Sequence, residues 1–288
     1  MRARFSRGGG VMAKVATGLV LASVLLTASS ASPAQRGGGR GGGGRRGSVP
    51  IYDNNWVYDG RFVFCRLAFR QAPDGDGGGW SVDYPRADMN FPFRLGELTE
   101  TSISRDSRGE PNHVVLTAMD PHLFECPFVM MTEPGGAYFD EAEAANLRLY
   151  VEKGGFLWAD DFWGEYAWDA WEHQLRKAFP ADEYPIKDIA IDHPLLHMLY
   201  YMDSLPQIPS LNHWQGSGFQ TSERGADSAV PHLRGIENKN GDVMVLMTHN
   251  TDIGDAWERE GFDRGYFETF ASKGYATGVN AFLYAMTH

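Results

Sequence analysis

The chain has 288 residues, enough for one large domain or two small ones, and a formal net charge of −11. Its first 52 residues carry eight Lys and Arg and no acid, which leaves residues 53–288 with 18 basic against 37 acidic groups, near −19. A field of that sign argues against nucleic acid and anionic lipid surfaces as partners and suits cations, neutral polymers or basic proteins.

Arg2, Arg4, Arg7 and Lys14 precede an apolar run from Val15, and Ser32-Pro33-Ala34 supplies a small-residue cleavage site. Residues 1–34 therefore read as a secretory signal peptide, which places the mature chain in the periplasm or outside the cell with no transmembrane span. Residues 35–52 are a Gly/Arg-rich tract too poor in apolar side chains to fold and are expected to be a disordered tether. Residues 53–288 are expected to form a single α/β domain.

Within it, residues 61–69 predict a buried strand, followed by a glycine-rich loop at 73–79. Asn90 is placed to cap a helix with Pro92 in its first turn, running to about Thr99. Strands are predicted at 113–117 and 127–132, the second ending in Thr132-Glu133-Pro134-Gly135-Gly136. Asp140 opens a helix that Gly154-Gly155 stop. Phe156–Ala159 predict a strand running into Asp160 and Asp161. Trp168, Trp171, Leu175 and Phe179 then recur at helical spacing as far as Pro180. An irregular region reaches about Val230, residues 232–237 and 243–248 flank the hairpin signal Asn240-Gly241, and a last helix covers about 265–286. Strands alternating with helices predict a layered α/β fold with a late hairpin.

Cys65 and Cys126 lie in or beside apolar strands and are expected to be two separate buried thiols, although export would let a disulfide persist. His193 and His197 stand four apart, a spacing that binds metal on one helical face, but no Glu lies between them as in HExxH. No GxxxxGK[ST], GxSxG or CxxC motif is present, no GxGxxG follows the first strand, and no cofactor is implied.

If strands 61–69, 127–132 and 156–159 run parallel, their following loops share one edge, the place where open α/β sheets bind ligands. That edge would gather Asp83 and Asp88, Glu133, Asp160 with Asp161, and His249, Asn250 and Asp252. Sequential residues cannot both face a cleft, so one of Asp160 and Asp161 is expected to enter it while the other caps the next helix or points into the sheet. Asp161, Asp160 and His249 are the candidate catalytic groups. Asp83, Asp88, Asn250, Asp252 and Trp163 are the candidate ligand contacts, with Trp163 able to stack on a sugar face.

The segments FVFCRLAFR, GGGWSVDYPRADMNF, FECPFVMMTEPGG, EAEAANLRLYVEKGGFLWADDFWG and LMTHNTDIGDAWE, in that order, resemble the bacterial domain of unknown function 4159 family over roughly residues 60–287. That family is similar to class I glutamine amidotransferase-like and trehalose-utilisation-protein-like folds. The resemblance implies a flavodoxin-like three-layer sandwich with a mostly parallel central sheet. Asp161 then falls where the amidotransferase pattern has its nucleophilic Cys, which argues against thiol chemistry. The leading expectation is an exported domain whose acidic, aromatic-lined cleft binds or processes a polar small molecule or glycan. The alternatives are a non-catalytic module that binds an envelope protein and a domain that binds a divalent cation through the same carboxylates.

Overall fold

Five short apolar stretches form parallel strands because burial on both faces rewards continuous apolar runs. In a computed structural model, which describes residues 58–288, these are β1 (Phe64–Ala68), β3 (His113–Thr117), β4 (Phe128–Thr132), β6 (Phe156–Phe162) and β9 (Val243–His249). β2 (Arg70–Gln71) and β5 (Ala137–Tyr138) make a separate two-stranded ribbon. β7 (Ile186–Asp188) and β8 (His232–Glu237) extend the main sheet antiparallel beyond β9. The main sheet has the order β3-β1-β4-β6-β9-β8-β7. Numbered by chain order, its parallel strands run 2-1-3-4-5, the flavodoxin-like arrangement whose switch point lies between β1 and β4. The signal-peptide and tether expectations fall on residues outside those described.

Helices cover both faces. On one side α1 (Arg86–Leu98), α5 (Ile253–Glu258) and α7 (Ser272–Thr287) pack on Phe64, Phe128, Trp158 and Leu246. On the other, α2 (Glu141–Glu152) and α3 (Gly164–Ala178) cover Leu67, Val129, Leu157 and Val245. Among the described residues the remaining α-helices are the short α4 (Leu211–Gly216) and α6 (Arg264–Tyr266). Alternate residues of each strand feed these two cores, as the pleat requires. Among the described residues, no helix is long and apolar enough to cross a membrane.

Several boundaries differ from the sequence expectation. α1 starts at Arg86, because the Asp83 carbonyl already accepts the Ala87 N–H, and Asn90 instead donates from inside the helix to the Trp257 carbonyl at 2.8 Å. β6 runs on to Phe162, so Asp160 and Asp161 lie within the strand, where a bulge shifts the register against β9. The last helix divides into α6, a π turn at Phe267–Ala271 and α7. His193 and His197 bracket a single 3₁₀ turn, not an α-helical face, with His193 capping Leu195 N and His197 bound to the Ile191 carbonyl.

The two cysteines correct the expectation of free thiols. Cys65 of β1 and Cys126, before β4, form a disulfide across a separation of 61 residues. Their strands are neighbours in the sheet, and the side chains enter the same core. Closing a loop of that length removes denatured-state entropy worth roughly 4 kcal/mol at most. The double substitution Cys65→Ala/Cys126→Ala should lower the unfolding free energy by about 2–4 kcal/mol in denaturant titration. An unchanged midpoint would show that the bridge contributes nothing.

Candidate functional site

The sheet turns polar toward the carboxyl end of its strands. Thr132, Asp160 and Thr248 are in register across β4, β6 and β9 and project toward the α1/α5 side. Asp160 is buried there, accepting from the Thr248 hydroxyl and from Gly254 N at 2.9 Å in the first turn of α5. Asp160 thus ties β6 to the first turn of α5 and does not cap the next helix in the chain, α3. Burial pushes its pKa up to about 7 against the lowering effect of those bonds.

Next in the same layer, Arg66 of β1 is buried against Asp88 of α1, which accepts from its Nε and Nη2. Arg66 Nη1 donates to the carbonyls of Trp80 and Val82 at 3.1 and 3.0 Å and lies 2.9 Å from Thr132 Oγ1. The guanidinium therefore sets the course of the chain into Asp83 and fastens it to β4. Asp88, expected to meet a ligand, spends both oxygens on Arg66.

Beyond this layer the backbone turns sharply at each strand end. Asp83, Glu133, Asp161 and Asn250 take left-handed conformations, with φ of +63°, +51°, +58° and +62°. Among the described residues only Phe219 joins them outside glycine. Such positions cost of order 1–3 kcal/mol each and gather where a fold holds side chains for a purpose. In the chain these four follow β1, β4, most of β6 and β9, the convergence expected from parallel strands.

Three of these loops supply a carboxylate cluster. Asp83, Asp161, Asp252 and Asp255 are only 3–6 % exposed. One oxygen from each of Asp83, Asp252 and Asp255 lies within 4.8 Å of the other two. Asp252 caps α5 through Asp255 N at 2.6 Å. Asp255 accepts from Leu211 N at 2.8 Å, Tyr266 Oη at 2.9 Å and Arg259 Nε at 3.3 Å. Asp83 Oδ2 is buried with no hydrogen-bond partner. It occupies space left by Gly254, where a Cβ would stand 2.5 Å from it and 3.6 Å from Asp252 Oδ1.

Burial raises the pKa of Asp83 and Asp252 well above the carboxylate range, and the neighbouring carboxylates push further: Asp255 first on Asp83, Asp161 first on Asp252. Asp161 is raised in the same way, by burial and then by Glu133, Asp83 and Asp160. Glu133 forms the rim. It accepts from the Gly79 amide, and burial lifts its pKa to about 7.

The remaining sequence candidates are placed elsewhere or employed otherwise. His249 stacks on Phe162 at 4.8 Å on the α3 side, donates from Nε2 to the Gly164 carbonyl at 3.1 Å and meets Arg234 through Nδ1 at 3.4 Å. Burial lowers its pKa to about 4, and its charged neighbours are Arg234, His232 and Asp227, not the clustered carboxylates. Asn250 uses its side chain on Gly164 N and the Val230 carbonyl, both at 2.8 Å, and so ties β9 to the start of α3. Trp163 is buried, and its indole N–H donates to Asp161 Oδ1 at 2.9 Å. It orients that carboxylate and offers no open face to a sugar.

The sequence reading omitted Asp255 from the site. Its signal was the Asp252-Ile253-Gly254-Asp255 spacing, which sets two acids on the first turn of one helix with a glycine between them.

A mostly parallel 2-1-3-4-5 sheet carrying a buried carboxylate cluster at its carboxyl edge defines a flavodoxin-like α/β sandwich with an acidic site beside the switch point. The family model described as "Domain of unknown function (DUF4159)" matches residues 64–286, and the chain belongs to that family. No curated protein matches the sequence.

A carboxyl group with a raised folded-state pKa adds stability that is complete below its unfolded pKa and is lost as pH rises through the folded one. For Glu133 that window runs from 4.5 to about 7. Glu133→Gln removes the ionisation while keeping an acceptor for Gly79. The melting temperature of the variant minus that of the unchanged protein, measured with chelator, should therefore increase from pH 5 to pH 8 by a few degrees. A difference independent of pH would contradict the buried, strained setting assigned to Glu133.

Proposed function

We propose that this domain binds a hard divalent cation at the carboxyl edge of its sheet, through Asp83, Asp252 and Asp255, with Asp161 beside them. The single observation that carries the reading is Asp83 Oδ2, buried without a hydrogen-bond partner and facing two further carboxylates. Ionised carboxylates this close and this dry repel one another by more than their hydrogen bonds return, so they either hold protons or share a cation. Of the nearby cations, Arg66 is committed to Asp88, and Arg259 reaches Asp255 of the cluster at 3.3 Å while pairing with Glu258; among the described residues neither pairs with Asp83 or Asp252.

An all-oxygen donor set suits calcium, magnesium or manganese in preference to zinc, which favours nitrogen and sulfur. The glycan reading is weaker, since Trp163 is spent on Asp161. Export is part of the proposal. The Cys65–Cys126 bridge supports it, because such bonds persist in oxidising compartments.

Thermal melts at pH 7.5 with chelator, then with Ca²⁺, Mg²⁺ or Mn²⁺, test this. A cation at about 100 times its Kd adds roughly 2.7 kcal/mol, so the transition should rise by roughly 5–10 °C. Asp83→Asn and Asp252→Asn should each melt higher than the unchanged protein in chelator and lose the rise. Gly254→Ala should weaken binding, because its methyl group displaces Asp83. A rise that survives both Asn substitutions would place the cation elsewhere and end the proposal.

A further inference from the structure

The carboxylates that would hold a cation are almost sealed from water, so an ion needs a route to them. Between β2 and Asp83 runs the segment Gly75-Asp76-Gly77-Gly78-Gly79, which carries no side chain but that of Asp76. Gly77 and Gly79 have φ of +94° and +91°, a conformation that glycine adopts at no steric cost. A Cβ on Gly77 would lie 2.6 Å from Glu133 Oε2, so the strand of glycines lies directly on the rim carboxylate.

Its outer half, Gly77 and Gly78, is exposed, whereas Gly79 is buried beneath it. The base of the segment is held by Asp76 N, which donates to the Gly135 carbonyl at 3.0 Å, and by Gly79 N, which donates to the Glu133 carboxylate. Three side-chain ties reach it or its flank: Arg224 pairs with Asp76 at 3.1 Å, Tyr166 Oη donates to the Asp74 carbonyl, and Gln71 Nε2 of β2 donates to the Gly77 carbonyl at 3.1 Å. The segment bearing Arg224 is itself anchored, since Arg224 N donates to Ser228 Oγ at 2.9 Å and Asp227 meets Glu165 N at the start of α3.

We propose that residues 75–79 are a gate over the carboxylate chamber, that the Asp76–Arg224 ion pair is its latch, and that cations enter and leave when it opens. The gate rests on the cation reading for its purpose but not for its existence. A half-exposed ion pair holds two segments only weakly, which suits a latch that must release on the timescale of loop motion. The glycines let the segment swing without moving Asp83, whose approach is pinned by Arg66 at Trp80 and Val82.

Two readouts on the full chain decide the matter, with Arg224→Ala and Asp76→Asn as independent ways of removing the latch. In the first, hydrogen exchange of the Gly78 and Gly79 amides in chelator should accelerate by about threefold to fivefold in both variants, while amides of β6 and β9 keep their rates. In the second, terbium(III) serves as the probe, its emission sensitised by tryptophan and followed by stopped flow. Both variants should gain about threefold to fivefold in association and dissociation rate together, with the equilibrium constant changed by less than about twofold. Unaltered exchange at Gly78 and Gly79 in both variants would overturn the gate. So would accelerated exchange with unaltered terbium rates, since the ion would then enter by another path. If terbium does not bind the unchanged protein, the cation reading fails by itself, and the exchange rates alone show whether the latched segment exists.

Discussion

The arrangement depends on one buried charge pair. Arg66 and Asp88 are 1 % and 0 % exposed, and between them they join β1, α1, the chain entering Asp83, and β4. Burying a guanidinium and a carboxylate costs several kcal/mol per ion unless every donor is met, and here Nε, Nη1 and Nη2 all find acceptors. Losing one partner would strand the other in the core, a cost of about 3–5 kcal/mol. The pair is therefore less a source of stability than a means of setting position. It brings the chain after β1 down onto the switch point, where the connection through residues 69–85 would otherwise have many other courses.

What the pair makes possible is an end of the sheet that works against its own stability. Left-handed backbone at Asp83, Glu133 and Asp161, and carboxylates pushed upward in pKa by burial and by one another, are all unfavourable terms. They are offset by the two aromatic cores and by the Cys65–Cys126 bridge, which ties β1 to the approach to β4 at the amino end of the strands, opposite the site. A domain with no use for the cluster could replace Asp83 by an apolar side chain or pair it with a basic one. The fold instead reserves room for its free oxygen at Gly254 and directs Arg259 to Asp255 and Glu258. A cation would turn the most costly region of the molecule into one of its firmest.

Much of this was legible in the chain. Strand and helix order followed from apolar runs punctuated by glycine and proline, and the parallel edge followed from their alternation. Asp83, Asp160, Asp161 and Asp252 lie together at that edge. The division of labour was only partly readable: one of the adjacent acids was expected to cap the helix that follows or to point into the sheet, whereas Asp160 reaches Gly254 of the distant α5 and Asp161 stays buried beside the cluster. Side-chain pairing across long separations was not. Nothing near Asp88 in sequence announces Arg66, 22 residues away, and nothing near His249 announces that both its ring nitrogens are used by Gly164 and Arg234. Trp163 looked like a platform because its indole did not fit the helical stripe; its N–H had a nearer task at Asp161. The two cysteines looked separate because pairing them requires β1 and β4 to be sheet neighbours, a fact of topology.

The most direct measurement is the position of a bound ion. A crystal of the domain grown or soaked with Mn²⁺, with data collected near the manganese edge, should show an anomalous peak among Asp83, Asp252 and Asp255. Carboxylate oxygens should stand about 2.1–2.2 Å from it, slightly beyond magnesium distances. A manganese-loaded crystal with those side chains ordered and no peak between them, or with its peak at another group of acids, would contradict the account.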